Sequence, residues 1–100
     1  PNIDIDILKK VLPKFIQELD HQYKLSYDKK IGIIMHLSGV ICSLVDNIPI
    51  PKKFNYKNII LTHKKTYEYL YDILEIIEEP FHIRFSDSDI ASLIMIIKEI

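Results

Sequence analysis

The sequence predicts an all-α domain, a compact bundle of about five helices. Three observations carry that prediction. Apolar residues recur at helical spacing over three long stretches. The breaks between those stretches carry helix caps and prolines. Only two of the 100 residues are glycine and 48% are apolar, enough for a single core but at this length not for two. Isoleucine, abundant here, is not the best helix former, but a buried face overrides propensity.

Residues Asp4 to Tyr23 read as the first helix, with Leu8, Val11, Leu12, Phe15, Ile16 and Leu19 at helical spacing. Pro13 falls inside it. Either the helix kinks there, or a lead-in turn ends and the main helix starts with Pro13 in its first turn. Leu25 and Ser26 form the break. Ser26 suits an N-cap, and Asp28 in the following turn complements the helix dipole. The second helix then runs to Val45 or Asp46, with a wide apolar face of Ile33, Ile34, Leu37, Val40, Ile41, Leu44 and Val45. The segment Asp46-Asn47-Ile48-Pro49-Ile50-Pro51 stops it, because two prolines at this spacing force extended backbone.

Between Lys52 and Leu61, the residues Phe54, Tyr56, Ile59 and Ile60 fit either a short third helix or an ordered loop. From Thr62 to Glu79 the pattern is helical again, with Tyr67, Leu70, Tyr71, Leu74 and Ile77 on one face and Pro80 as its end. Phe81 to Phe85 alternates and reads as extended, but is too short to found a sheet. Ser86 and Asp89 have the spacing of a capping box. They open the last helix, Ile90 to Glu99, which is apolar nearly all round. Such a helix belongs at the centre of a core or under a partner subunit.

The net charge is −1, and the cationic residues are Arg84 and twelve scattered lysines. A nucleic-acid-binding domain shows a basic stripe rich in arginine. Direct contact with nucleic acid is therefore not expected, and protein partners are. Cys42 is the single cysteine and has no internal disulfide partner. In an apolar helix pattern, a buried thiol usually just packs. That usage, with no signal peptide, points to the cytoplasm. The longest apolar stretch, Ile31 to Val45, is short for a membrane span and carries His36, so it reads as a core helix. Starting at Pro1 without Met, the chain reads as one domain, residues 1–100, excised from a larger protein.

His36 is the candidate functional residue. It lies in the middle of Ile31-Gly32-Ile33-Ile34-Met35-His36-Leu37-Ser38-Gly39-Val40-Ile41. At roughly 100° per residue, Gly32, Gly39 and Ser43 fall within about 60° of it on a helix wheel. A histidine in a stripe of small residues can be approached closely by another protein surface. A neutral imidazole, with an ordinary pKa of about 6.5, is a competent nucleophile near neutral pH. The alternative is a core histidine bonded to a backbone carbonyl, with the glycines letting two helices pack closely.

The remaining histidines read as structural. His21 is expected to be exposed at a helix end, His63 on the surface in the first turn of its helix, and His82 packed between Phe81 and Ile83. No acidic or cysteine partners stand at metal-ligand spacing from them. Gly-rich phosphate loops, nucleophile elbows and paired-carboxylate motifs are missing too. No metal, cofactor or enzymatic activity is expected. Glu75, Glu78 and Glu79 read as a solvated face. Tyr67, Tyr69 and Tyr71 spread over different faces, with at least one exposed.

The chain resembles the PTS regulation domain of bacterial transcriptional antiterminators and activators that control sugar operons. Its anchors are Gly32-Ile33-Ile34-Met35-His36-Leu37 in the second helix and Asp87-Ser88-Asp89-Ile90-Ala91-Ser92-Leu93-Ile94 opening the last. The resemblance covers nearly the whole chain. It implies a five-helix bundle, often dimeric, in which a histidine of the second helix, and often another in the last, accepts phosphate. The donor is the phosphocarrier HPr or a sugar-specific enzyme II B component, and the phosphate alters dimer contacts and the attached effector. His36 matches the first of these sites. The second aligns with Ile96, which cannot accept phosphate. Ser43 stands where many members carry arginine, which removes a natural partner for phosphate. A single-histidine domain resembles the type in large enhancer-dependent activators more than the paired domains of antiterminators.

Two other readings stay open. One is a structural homodimerisation domain of the same fold that has lost phosphoacceptance, motivated by Ser43 and Ile96. The other is a two-component histidine phosphotransfer bundle. His36-Leu37-Ser38-Gly39 is loosely like that family's motif, but lacks the lysine before the glycine.

Overall fold

A computed structural model describes residues 2–51 and 55–100. The described residues form six helical segments: α1 (Ile5–Tyr23), α2 (Tyr27–Val45), α3 (Tyr56–Thr62), α4 (Lys64–Ile73), α5 (Glu75–Phe81) and α6 (Asp87–Lys98). Leu74, between α4 and α5, keeps right-handed helical dihedrals (φ −61°, ψ −17°). It also receives the Glu78 amide bond expected of a continuing helix, at 2.9 Å. The pair is one bent rod, so the architecture is an all-α bundle of five helices.

α1, α2 and α6 start where side chains satisfy free amides. Asp4 accepts from the amides of Asp6 and Ile7 at the head of α1. Ser26 accepts from Lys29 at the head of α2. Ser86 and Asp89 form a reciprocal capping box on α6, with bonds of 3.1 and 2.9 Å. Three helices end on residues in the left-handed region that are not glycine: Lys24 (φ 51°), His82 (φ 55°) and Glu99 (φ 57°). The α1–α2 turn is held by Asp20, whose carboxylate accepts from the Leu25 amide at 2.8 Å and pairs with Lys30 at 3.4 Å.

α1 is continuous through Pro13, which is exposed. An interior proline costs a helix about 3 kcal/mol. Burial of Val11, Leu12, Phe15, Ile16 and Leu19 on one face keeps it intact. α6 occupies the middle, packed on α2, α3 and α4, while α1 packs on α2 and α5. Its Ile90, Ala91, Leu93, Ile94 and Ile97 are buried. α2 and α6 run antiparallel. Gly32 faces Ile96, with 3.8 Å from an added Cβ to Ile96 Cγ2, and Lys29 donates to the Ile97 carbonyl at 2.8 Å near Glu99 at 3.7 Å.

Several expectations are corrected. The stretch Thr62 to Glu79 is not one straight helix, because it breaks at His63 and bends at Leu74. His63 is the half-buried junction of α3 and α4 rather than a surface residue of a first turn. Pro80 does not end its helix. It sits in the last turn of α5, which stops one residue later, where His82 turns left-handed. The stretch Phe81 to Phe85 therefore begins inside a helix. His82 is exposed rather than packed, although Phe81 and Ile83 on either side are partly buried. Glu78 is no solvated residue: half-buried, it accepts from the Phe85 amide at 2.8 Å. Cys42 is half-buried rather than fully so. Tyr56, Ile59 and Ile60 belong to the helical alternative for their region, while Phe54 lies outside the described residues.

Candidate functional site

His36 stands midway along α2, on the border between its core face and its solvent face. The core face is set by Ile33, Leu37, Val40 and Ile41, all buried. On the other side Met35 is 70% exposed, and Ile31 and Tyr27, one and two turns earlier, are also exposed. His36 itself is half-buried.

The ring makes no hydrogen bond. Its Nε2 is sealed from solvent and has no partner, whereas Nδ1 is not among the sealed atoms. The expected alternative of a core histidine bonded to a backbone carbonyl is therefore not what the structure holds. Burial lowers the His36 pKa below its ordinary 6.5, and the carboxylate of Asp89 opposes that shift. The shift is in the direction that favours the neutral ring.

Asp89 comes from α6. It is itself buried, and one of its oxygens is committed to the Ser86 amide. The capping box thus places a carboxylate at the head of α6 where its field reaches the ring on α2. Asp89 reads from sequence only as a cap. Its second relation depends on the antiparallel pairing of α2 with α6, which no local pattern encodes.

The three small residues expected around His36 have different surroundings. Gly32 is turned toward α6 and Ile96. Gly39 is exposed, and an added Cβ there would meet nothing within 4 Å. Ser43 is half-buried two turns beyond His36. Only the Gly39 side is open space beside the histidine. Ile96, where the resemblance expects a second histidine, lies against Gly32, one turn before His36.

The other polar side chains serve the scaffold. Tyr67 donates to Asp87 at 2.6 Å, which ties α4 to α6 and pushes the phenol pKa up to about 12. Tyr69 donates to the Glu18 carbonyl at 3.2 Å and stacks edge-on with Tyr23. Tyr71 is the exposed member of the three and accepts from Arg84. Among the described residues, no three metal-ligating side chains converge, and no helix is long and apolar enough to cross a membrane.

Comparison with curated proteins and with solved structures gives no match. The family model described as the PRD domain matches residues 9–100, which include α2, the Asp89 cap and the whole of α6. With most of the bundle, the histidine helix and the capped last helix inside the matched span, the chain belongs to the PRD family, the PTS regulation domains.

Proposed function

We propose that this domain is the signal-receiving part of a larger bacterial transcriptional regulator, and that His36 is its phosphoacceptor. The observation that carries the reading is the state of the ring. It is half-buried, held toward the neutral form and free of hydrogen bonds, and it lies beside exposed Met35 and the empty space at Gly39. The activation resides in the donor, a phosphohistidine or phosphocysteine on a carrier protein. The acceptor need only present an accessible, oriented lone pair. HPr and a sugar-specific enzyme II B component are the donors this reading names. The domain is a substrate in that transfer and needs no cofactor.

Phosphorylation adds roughly two negative charges. Placed at His36, they act against Asp89, which is buried at the head of α6 and cannot move into solvent without opening the capping box. The α2–α6 contact is thereby weakened at one end. The exposed ridge of Tyr27, Ile31 and Met35 runs along the same helix and is the surface assigned to homodimer contact. A change in α2 packing shifts that contact and so the effector domain.

The test is incubation with phosphoenolpyruvate, enzyme I and HPr, with and without an enzyme II B component, read by intact mass beside His36→Ala. The expected result is an acid-labile gain of one phosphate that the variant lacks. No gain with any donor favours the second reading, a structural dimerisation domain of the same fold. The exposed ridge would serve that reading equally, and Ser43 and Ile96 are the departures that motivate it. It predicts that His36→Ala leaves sugar-dependent regulation unchanged.

A further inference from the structure

The two ring nitrogens of His36 are not equivalent. Nε2 is closed off from solvent and has no hydrogen-bond partner, and Nδ1 is not among the atoms so sealed. A phosphoryl group bound to a carrier approaches from outside, and its phosphorus must line up with the attacking lone pair and the leaving atom. A sealed nitrogen cannot meet that requirement without rotation of the ring. The geometry points to Nδ1 of His36 as the atom that takes the phosphoryl group, a specificity that rests on the phosphoacceptor reading above.

The step balances without a further reactant. The Nδ1 lone pair forms a P–N bond while the donor's P–N or P–S bond breaks, and the departing imidazole or thiolate takes that electron pair. The proton of the neutral ring stays on Nε2 throughout. The product is a 1-phosphohistidine whose ring carries the Nε2 proton, and the Asp89 carboxylate favours a proton on this ring. For Nδ1 to attack, the neutral ring must hold its proton on Nε2. Attack through Nε2 would require the ring to turn and would leave the proton on Nδ1.

The experiment is nitrogen NMR on the uniformly 15N-labelled chain, before and after phosphorylation by phosphoenolpyruvate, enzyme I, HPr and an enzyme II B component. It is run on the folded protein, so that isomerisation during hydrolysis does not intervene. The expected result is one-bond coupling of phosphorus to Nδ1 of His36, with the resting ring protonated at Nε2. Coupling to Nε2 overturns this assignment and leaves the phosphoacceptor reading standing. A resting ring protonated at Nδ1 overturns the assignment as well. No phosphorus on His36 with any donor overturns both.

Discussion

His36 is a half-buried base that the folded state prefers neutral. Its pKa lies below 6.5 because burial outweighs the opposing field of Asp89. As pH falls, the unfolded chain therefore takes up this proton before the folded chain does. The stability associated with the neutral ring is complete above 6.5 and is lost as pH drops from there through the folded-state pKa. Wild type should lose more stability than His36→Gln between about pH 7.5 and about pH 5, by an amount equivalent to at most one proton. Urea midpoints of the two proteins at both pH values check this; parallel losses would mean that the ring does not feel its burial. The location of this histidine is legible in the sequence, since the flanking apolar run and Gly39 mark it. Its electrostatic neighbour is not legible, because Asp89 is 53 positions away and reaches it only through tertiary packing.

Among the elements, α6 is the one on which the others depend. It packs on three helices, and its head is organised by the Ser86–Asp89 box. Ser86→Ala removes the acceptor for the Asp89 amide and should cost about 1 kcal/mol, visible as a lower urea midpoint. An unchanged midpoint would mean that water satisfies that amide as well as the serine does. The starts of α2 and α6 are readable beforehand, because Ser26, Ser86 and Asp89 are strong N-terminal signals. The ends are harder. Lys24, His82 and Glu99 close their helices in the left-handed region without the glycine that usually announces such a cap. The bend at Leu74 carries no glycine or proline either. Pro13 and Pro80 are the converse, breakers by type that the packing of α1 and α5 tolerates.

For the whole molecule, the bundle leaves one side of α2 uncovered. Tyr27, Ile31 and Met35 share that side and are exposed among the described residues. If two copies meet there, Met35→Glu places like charges across the contact and should shift the domain toward monomer in sedimentation, with its helical circular dichroism unchanged. An unaltered sedimentation coefficient would move the dimer contact elsewhere. The general architecture follows from periodicity, since buried faces of α1, α2 and α6 repeat every third or fourth residue. The mutual orientation of the helices has no such signature, and it is orientation that sets the electrostatics and access of the histidine.

Gly39 bears on the same uncovered side. A mid-helix glycine weakens a helix by about 0.5–1 kcal/mol relative to alanine. Among the described residues, no side chain or other element lies within 4 Å of where the missing methyl would be. The isolated domain is thus less stable than it could be at a position where its own packing asks for nothing. On the proposed function, that deficit is recovered only in company, when a carrier's backbone passes close to the helix beside His36. Tolerance of alanine at Gly39 would then separate two selections that act on one residue: alone, the domain would melt later, but it would meet its donor less well.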